Sequence, residues 1–324
     1  MVRERLTKIL ACPSDGGALR ERDGALVCER GHSFAIEGEI PIFTSAVRRE
    51  AVPKNMAPSA HATGAESGVD PFVNDWVVNT NGNLYKRARG RLKRYPIPEW
   101  PLGAAHAGTA PIVLDIGCSW GRWSVAAARA GYFPVGLDVH IDALAAAQRV
   151  SRQLGVETVQ VCGDVEALPF AASSVDAVFS YSVLQHIDRQ KVVRFFVEAA
   201  RVLKPGGVCL VQLPNACGLY SILRQAKRGF RDAAPDTFEM RYWTRGRIRA
   251  ATEKAGLRNL RLRADGFFSQ DPQLSDLDLL SPAARSVVRA SHAGRRAADL
   301  VPPLVALADS LWVEARTAAG DFRG

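Results

Sequence analysis

The chain has 324 residues, of which 47% are hydrophobic and 23% are charged, and its formal net charge is +9. These fractions are typical of a globular protein and exclude global disorder, a collagen-like chain and a disulfide-rich mini-protein. Charged residues interrupt every apolar run well before the ~20 residues of a membrane-spanning helix, and the first residues, MVRERLTKILACPSDGG, lack the apolar stretch of a secretory signal. We therefore expect a cytoplasmic protein whose six cysteines are thiols or metal ligands rather than disulfides.

Residues 1–43 predict a small β module, because short apolar runs separated by Gly and Asp indicate strands joined by tight turns. Four candidate metal ligands stand there at the spacing of a metal knuckle, and they can complete a tetrahedral zinc site: Cys12, Asp15, Cys28 and His32. The alternative is a metal-free module in which Asp15 begins the turn Asp-Gly-Gly. Residues 44–70 are rich in Ala, Ser, Gly and Pro and predict a linker.

Residues 71–110 predict lid or lead-in helices, and an alternation of apolar strands and helices begins at residue 111. The predicted strands are 111–116, 133–138, 156–162, 175–182 and 208–214, and the predicted helices between them are 120–131, 141–155 and 189–207. This alternation is typical of a doubly wound, mostly parallel α/β sheet, which we assign to residues 111–265. Residues 266–324, and 281–318 in particular, predict a helical C-terminal cap.

The positive charge is concentrated in two stretches that flank a neutral middle. Residues 83–94 contain six Lys or Arg and no acidic residue, and residues 221–263 contain twelve basic residues against four acidic ones. The pattern fits an anionic partner, such as a phosphorylated or carboxylated small molecule, a nucleic acid or an anionic membrane surface. It fits a solvated, arginine-rich surface equally well.

The loop after the first predicted strand, VLDIGCSWGRW, places Asp115 at the strand end and Gly117 and Gly121 at the start of a helix. Glycines let the backbone approach a ligand closely, and a helix start offers unpaired N–H groups. The spacing D-x-G-x-x-x-G differs from the G-x-G-x-x-G of dinucleotide sites. An acidic residue here would repel a pyrophosphate but can hold a cationic amino-acid group.

Three further strand ends carry polar residues at the same rim of the sheet, where open α/β sheets bind their ligands. Asp138 ends the second strand and can accept hydrogen bonds from both hydroxyls of a ribose. Asp164 lies just past the third strand, where its carboxylate can accept from an exocyclic amine such as that of adenine. Ser180 and Tyr181 end the fourth strand.

Five stretches in this order, VLDIGCSWG, VGLDVH, GDVEALPF, DAVFSYSVLQHI and LKPGG, resemble the class I S-adenosylmethionine-dependent methyltransferases and run through residues 112–214. The resemblance implies a Rossmann-like seven-stranded sheet that binds S-adenosylmethionine. It also implies that the methionine part of this cofactor lies beside Asp115, Gly117 and Gly121, the ribose beside Asp138 and the adenine beside Asp164, which can cap a helix as well. We assign to the same cofactor site Cys118, Val139, Val165, Ser180, Tyr181 and, from the lead-in, Tyr85, which can reach the cofactor carboxylate.

The catalytic and substrate-binding residues are less distinctive. His186, in the loop after the fourth strand, is the best-placed titratable group and can act as a general base or pack under the cofactor. Residues 216–248 are expected to be a substrate-binding insertion, in which a cation stands beside two aromatic rings: Arg241, Tyr242 and Trp243. In the alternative reading these three residues pack the insertion on the sheet, and Thr244 caps the next helix.

The N-terminal module resembles the zinc-ribbon-like module of the Trm112 type, in EGEIPIF after the knuckles, and the zinc module of bacterial 23S rRNA guanine methyltransferases. Asp15 stands where these families have a cysteine, which leaves zinc binding open. The leading function is methyl transfer to a small molecule, without nucleic acid as partner and with the oligomeric state open. The alternatives are an rRNA or tRNA methyltransferase and a non-catalytic partner subunit.

Overall fold

The computed structural model describes residues 2–48, 68–234, 237–268 and 273–319. Its N-terminal part is a short helix, α1 (Val2–Ile9), followed by a four-stranded antiparallel sheet in the order β1-β2-β3-β4. The four strands are Leu19–Arg22, Ala25–Cys28, Ser33–Glu37 and Ile40–Pro41. Asp23 and Gly24 connect β1 to β2 with φ angles of 51° and 76°, as a two-residue hairpin turn of this hand requires.

The main body is a seven-stranded sheet in the order β10-β11-β9-β8-β5-β6-β7. The strands are β5 (Ile112–Ile116), β6 (Phe133–Asp138), β7 (Val159–Cys162), β8 (Val175–Ser180), β9 (Leu203–Pro214), β10 (Arg258–Gly266) and β11 (Ser310–Arg316). Strands β5 to β9 pair in parallel, and most of their residues are buried, because helical connections cover parallel strands. The α/β class and the seven-stranded sheet are confirmed.

Seven helices of more than one turn accompany this sheet in the described part of the chain. They are α2 (Pro71–Asn81), α3 (Arg122–Arg129), α4 (Ile141–Gln153), α5 (Arg189–Val202), α6 (Leu219–Lys227), α7 (Arg245–Lys254) and α8 (Pro282–Leu300). The side chain of Asp70 accepts a hydrogen bond from the N–H of Phe72 at 2.9 Å and caps α2, while Arg149 of α4 binds the same carboxylate at 2.7 Å. These contacts hold the lead-in helix against the body. No helix in the described ranges is long and apolar enough to cross a membrane.

The chain reverses direction across the sheet at the central strand β5. It proceeds from β5 to β6 and β7 on one side and then returns to β8 on the other side of β5. Loops that leave the carboxyl ends of β5 and β8 therefore diverge and open a crevice, which is where open α/β sheets bind their ligands. Of the site residues proposed from the sequence, Gly117 and Cys118 follow β5, and Tyr181 and His186 follow β8.

Helix α5 ends earlier than its apolar pattern predicts. The sequence predicts a helix over 189–207, but the chain turns extended at Leu203 (φ −68°, ψ 135°) and β9 begins there. Lys204 precedes Pro205, and a residue before proline is disfavoured in the helical region. Pairing of Leu203 with Val175 then makes this segment part of the sheet.

The C-terminal region differs from the expected helical cap. Helix α8 and a 3-10 turn over Pro302–Leu307 occupy part of 281–318, but Ser310–Arg316 form strand β11. This strand is antiparallel to both β9 and β10 and lies between them. The Ala- and Leu-rich composition of this region predicted a helix. Residues 310–316 form a strand instead, because strands from distant parts of the chain pair with them on both sides.

The N-terminal unit continues the sheet beyond its edge strand β7. Ile42 bridges Cys162 in parallel, and the N–H of Phe43 donates to the carbonyl of Cys162 at 2.7 Å. Helix α1 adds two backbone hydrogen bonds around Pro169 and Ala171, and its apolar residues join the same core cluster as the sheet. The unit thus covers an edge that would otherwise expose unpaired backbone groups. Most of the predicted linker, 49–67, lies outside the described residues.

Candidate functional site

A cavity of about 1270 Å³ opens at the carboxyl ends of the parallel strands. Loops after β5, β6, β7 and β8 line it, together with the end of α2 and residues of the insertion. Of the residues assigned to the cofactor from the sequence, those that line the cavity are Gly117, Cys118, Asp138, Val139, Asp164, Val165 and Tyr181. The structure thus brings together residues from four consecutive strand ends.

The glycine loop between β5 and α3 depends on two left-handed backbone positions. Gly117 has a φ of +72°, and a Cβ atom there would lie 2.4 Å from a methyl group of Val183. Gly121 has a φ of +82° and N-caps α3, and its ideal Cβ would lie 3.2 Å from Ala147. Only glycine fits such conformations without strain. The Gly117 N–H donates to the carbonyl of Leu137 at 2.7 Å, which ties the loop to β6.

Asp138 joins the glycine loop to the end of β6. Its Oδ2 accepts a hydrogen bond from the N–H of Ser119 at 2.9 Å, and its Oδ1 accepts from the N–H of His140 at 3.0 Å. The side chain is half-buried and faces the cavity. Each carboxylate oxygen has a second lone pair, so both can accept from vicinal hydroxyls of a ligand.

Asp164 occupies the corresponding position after β7. Its Oδ1 accepts a hydrogen bond from the N–H of Glu166 at 3.0 Å, which closes a local turn and leaves the other oxygen for a ligand. Val139 and Val165 line the cavity beside the two carboxylates and supply apolar surface for a planar ring. The turn role and a ligand-binding role of Asp164 are compatible, because they use different oxygens.

Asp115 has a different environment from the one expected for a residue that binds a cationic group. Its side chain is 2% exposed, and its Oδ2 accepts a hydrogen bond from the hydroxyl of Ser124 at 2.7 Å. Burial, with a smaller contribution from the charge of Asp138, raises the pKa of Asp115 to about 7. The carboxyl therefore anchors α3 to β5 from below the glycine loop, and the expectation of direct ligand contact is corrected.

Tyr85 and Ser180 also have other contacts than the cofactor contacts predicted from the sequence. Tyr85 is 1% exposed, and its hydroxyl donates to the buried carboxylate of Asp276, which also binds Arg122 at 2.9 Å. Ser180 is fully buried and donates to the carbonyl of Ile116 at 3.0 Å, which links β8 to β5. Both side chains organise the floor of the site instead of lining the cavity. Tyr181 lines it, with its hydroxyl on Asp265 at 3.1 Å.

The end of α2 contributes residues that sequence reasoning did not assign. Thr80 accepts a hydrogen bond from the indole N–H of Trp120 at 3.1 Å and donates to Asn81 at 2.9 Å. Asn81 lines the cavity, and its buried Nδ2 has no hydrogen-bond partner among the described residues. A buried amide with an unused donor indicates a missing acceptor. The polar run NTNGN at 79–83 was the available signal.

His186 lines the cavity in a constrained position. Its Nδ1 lies 3.0 Å from the carbonyl of Phe238 and therefore carries the proton, while its Nε2 lies 3.1 Å from the amide nitrogen of Gln185. The ring stacks on Phe238 at 3.9 Å. Burial lowers the pKa of His186, and the charge of Arg241 lowers it further. The imidazole is therefore neutral near pH 7, with Nε2 as its basic atom.

The three residues expected to bind substrate have structural contacts. The guanidinium of Arg241 donates to four backbone carbonyls at 2.7–3.1 Å, those of His186, Ala234, Thr237 and Glu239. Tyr242 and Trp243 are buried outside the cavity lining, and Trp243 pairs with the backbone of Pro214 at 2.9 Å. Arg241 lines the cavity, whereas neither aromatic ring does, so the structure does not bring the three residues together as a substrate clamp. Thr244 caps α7, as the alternative reading required.

The four metal-ligand candidates converge at one point of the N-terminal unit, with ligand atoms within 4.8 Å of one another. Nδ1 of His32 lies 3.5 Å from Sγ of Cys12, 3.3 Å from Sγ of Cys28 and 3.2 Å from Oδ2 of Asp15. Oδ1 of Asp15 accepts from the N–H of Gly17 at 2.8 Å, so this carboxylate divides its oxygens between a turn and the cluster. Ligand pairs of a tetrahedral zinc lie about 3.4–3.8 Å apart, which this cluster approaches.

The fold and the site define an α/β protein with a cavity at the carboxyl ends of its parallel strands. Residues 113–207 match a family model described as "Methyltransferase domain". This segment is therefore similar to a methyltransferase domain, and curated relatives of the chain are described as probable S-adenosylmethionine-dependent methyltransferases.

The curated relatives share this domain over part of their length. The chain is 28% identical over 183 residues to malonyl-[acyl-carrier protein] O-methyltransferase of Dechloromonas aromatica, covering 56% of this chain and 66% of that protein. It is 37% identical over 100 residues to the biotin biosynthesis bifunctional protein BioHC of Cellvibrio japonicus, covering 31% and 19%. A probable S-adenosylmethionine-dependent methyltransferase of Mycobacterium tuberculosis is 35% identical over 107 residues, covering 33% and 37%. The matches therefore span between a fifth and two thirds of these relatives.

Two solved structures illustrate the range of similar folds. A complex between the Haloferax volcanii Trm112 methyltransferase activator and its putative methyltransferase is 17% identical, covers 81% of this chain and 98% of that chain, and has a TM-score of 0.47. Magnesium protoporphyrin IX methyltransferase of Synechocystis with bound SAH is 14% identical, covers 67% and 76%, and has a TM-score of 0.45. The identification of the domain rests on the family match and not on these structures.

Proposed function

We propose that the chain is an S-adenosylmethionine-dependent methyltransferase that acts on an O, N or C nucleophile of a small molecule. One observation carries this proposal. The glycine loop, Asp138 and Asp164 stand at consecutive strand ends and line the same cavity of about 1270 Å³. A structural turn accounts for the glycines, but it does not account for two carboxylates facing one cavity at adjacent strand ends.

S-adenosylmethionine supplies an electrophilic methyl group for in-line displacement. Asp138 would accept hydrogen bonds from the ribose hydroxyls, and Asp164 with Val139 and Val165 would hold the adenine. The unpaired Nδ2 of Asn81 is available to the amino-acid end. The chain's main contribution to the rate is to align donor and acceptor and to exclude water, since methyl transfer needs proximity above all.

His186 is the proposed general base for a nucleophile that must lose a proton. Its Nε2 is the ring nitrogen left to accept a proton, because Nδ1 donates to the carbonyl of Phe238. The amide nitrogen of Gln185 lies 3.1 Å from Nε2, so a substrate hydroxyl or amine has to displace this contact before the imidazole can accept its proton. A neutral imidazole near pH 7 meets the requirement for general-base catalysis.

The outer part of the cavity supports a small substrate with anionic and apolar groups. Lys86 and Arg224 bring positive charge to the lining, and Tyr220, Phe238 and Phe268 bring aromatic surface. The Dechloromonas relative named above methylates a malonyl group on an acyl carrier protein, which is a carboxylate on an acyl chain. A carboxylated or phosphorylated amphiphile fits this lining.

Isothermal titration of the full chain with S-adenosylhomocysteine tests the proposal. We expect saturable one-to-one binding, with S-adenosylmethionine competing for the same site. A folded protein that gives no heat at saturating ligand overturns the enzyme assignment and favours a non-catalytic partner subunit. Salt-dependent binding of RNA, which phosphate contacts would produce, overturns the small-molecule part.

For the N-terminal unit we propose a structural zinc held by Cys12, Asp15, Cys28 and His32. The proposal rests on the four ligand atoms converging at distances close to those of a tetrahedral site. Zinc there would clamp the turn after α1 to the hairpin of β2 and β3. The domain that binds the cofactor does not include these residues.

A further inference from the structure

Helix α6 places an apolar stripe in solvent. Leu219, Ile222 and Leu223 are 48%, 42% and 59% exposed, and they follow one another at helical spacing, with Ala226 continuing the stripe. The residue of this helix buried against the body is Ser221, whose N–H donates to Asp309 at 2.7 Å. An amphipathic helix on a globular protein normally turns its apolar side inward. In α6 this side faces outward.

A basic stripe runs along the same segment. Arg224, Lys227, Arg228 and Arg231 recur at spacings of three, one and three residues. Arg224 lies over the ring of Tyr220, with 4.8 Å between its guanidinium carbon and the ring centroid. Glu239 binds Arg228 at 2.8 Å and Arg231 at 3.1 Å, so the segment keeps a net positive charge after these pairings.

A second group of exposed apolar side chains lies next to α6. Leu300, Val301 and Leu307 are 84%, 49% and 40% exposed, at the end of α8 and in the following 3-10 turn. The amide of Asn215, just before α6, donates to the carbonyls of Ala306 and Ala308 at 2.8 Å. This contact joins the segments that carry the two groups, which together we call the apolar end.

We propose that the apolar end, residues 219–231 and 300–307, docks on an anionic lipid bilayer. A helix with apolar residues on one side and Lys or Arg on the other is suited to the interface of such a membrane. Scattered single hydrophobic residues are ordinary on protein surfaces, but a contiguous group with cations beside it marks an interaction surface. Positive charge alone would recruit an acidic protein. The exposed aliphatic side chains beside this charge favour a lipid surface instead.

The apolar end adjoins the mouth of the cavity. Tyr220, Ser221 and Arg224 belong both to this region and to the cavity lining. Docking would therefore present the cavity to the headgroup layer, where an amphiphilic substrate has its polar group. This consequence rests on the proposed function, whereas docking itself does not.

Co-sedimentation of the full chain with vesicles tests docking without any enzyme assay. We expect binding to vesicles of 70% phosphatidylcholine and 30% phosphatidylglycerol, weaker binding to pure phosphatidylcholine, and loss of binding on addition of salt. The double variant Ile222→Gln, Leu223→Gln should bind at least about tenfold more weakly, because it removes two apolar side chains from the interface. Lys227→Glu should weaken binding to the anionic vesicles by about tenfold.

Matched controls keep these outcomes interpretable. Val197→Gln replaces a 44% exposed apolar residue of α5, and Lys254→Glu reverses an exposed charge of α7, so neither should change vesicle binding. Wild-type protein that stays in the supernatant with anionic vesicles overturns the proposal. So does a dimer that the double variant converts to a monomer, since a second copy would then cover the apolar end. Equal binding of the double variant and Val197→Gln also overturns it. S-adenosylhomocysteine titration of the same samples tests the enzyme assignment separately.

Discussion

The backbone N–H of Ser119 donates a 2.9 Å hydrogen bond to Oδ2 of Asp138, so one carboxylate both holds the glycine loop and faces the cavity. The loop and the proposed ribose contact are therefore coupled. A change at Asp138 should alter ligand affinity through both the lost acceptor and the released loop.

We predict that Asp138→Ala lowers the affinity for S-adenosylhomocysteine by about 100-fold and Asp138→Asn by about tenfold, since an amide keeps one acceptor oxygen. Isothermal titration measures both values. Glu157→Gln, an exposed carboxylate just before β7, is the matched control and should bind like wild type. Unchanged affinity in Asp138→Ala would exclude this residue from the cofactor site.

The buried carboxyl of Asp115 makes stability depend on pH. Its folded-state pKa of about 7 lies above that of an unfolded chain, so the folded protein binds this proton more tightly. The free energy of unfolding should therefore fall as pH rises from about 4 to 7, by on the order of 4 kcal/mol from this group. Asp115→Asn keeps the acceptor for Ser124 and removes the ionisation.

We expect the stability of Asp115→Asn relative to that of wild type to rise between pH 5 and pH 8, as measured by urea unfolding, because only the wild type loses stability as Asp115 ionises. Burial also raises the pKa of Asp265 to about 6. This residue adds the same pH dependence of stability to both proteins, so its effect cancels in the comparison. A difference in stability that does not change between pH 5 and 8 would contradict the assigned pKa shift.

Arg241 should act on stability and not selectively on substrate binding. Its guanidinium holds the chain segment of Ala234, Thr237 and Glu239 against the backbone of His186. Arg241→Met is predicted to lower the free energy of unfolding by about 2–3 kcal/mol, because four backbone carbonyls lose a charged donor. Arg245→Met, an exposed arginine nearby, serves as the control in the same urea titration. Wild-type stability in Arg241→Met would contradict a structural role of this guanidinium.

The imidazole of His186 should titrate below its ordinary pKa of 6.5, because burial disfavours the charged form. NMR titration of the ring C–H signal measures this value, and His186→Ala assigns the signal. His186→Ala should leave S-adenosylhomocysteine affinity within about twofold of wild type, as should the control His106→Ala. A titration midpoint above 6.5 would contradict the buried environment, and lost affinity in His186→Ala would give the ring a cofactor-binding role.

Protein purified without chelators should contain close to one zinc per chain by elemental analysis. Cys28→Ser removes one of the four converging ligands and should lower the zinc content to a small fraction, whereas Cys217→Ser changes an exposed cysteine outside the cluster and should not. Asp15→Cys should retain the metal against competing chelators better, because structural zinc prefers thiolate ligands. Zinc-free wild type, or equal metal content in both serine variants, would contradict the site.

Local signals in the sequence predicted the frame of the site well. The apolar runs that end in Asp138 and Asp164 are long enough to define parallel strands, and strand ends meet at one rim whatever the rest of the chain does. The glycine spacing predicted the loop between β5 and α3. Local spacing also predicted the four candidate zinc ligands, because Cys12 and Asp15 lie within one tight turn and Cys28 and His32 within another.

Contacts between distant segments could not be read in this way. Tyr85 binds Asp276, 191 residues away, and this partner turns a polar residue of the lead-in into part of the core. The role of Arg241 depends on where four carbonyls of the backbone point, which no side-chain pattern encodes. Strand β11 follows an Ala- and Leu-rich segment, and only its partners β9 and β10 make it a strand.

During synthesis, the seven-stranded sheet cannot be completed until strand β11 has been made. It leaves the ribosome after all the other described strands, yet it belongs between two of them. Until it arrives, β9 and β10 have open edges that are available to other nascent chains. A chain that stops before residue 310 would lack β11, and the edges of β9 and β10 would stay open. We expect such a product to be lost to aggregation even though every proposed cofactor-binding residue is present.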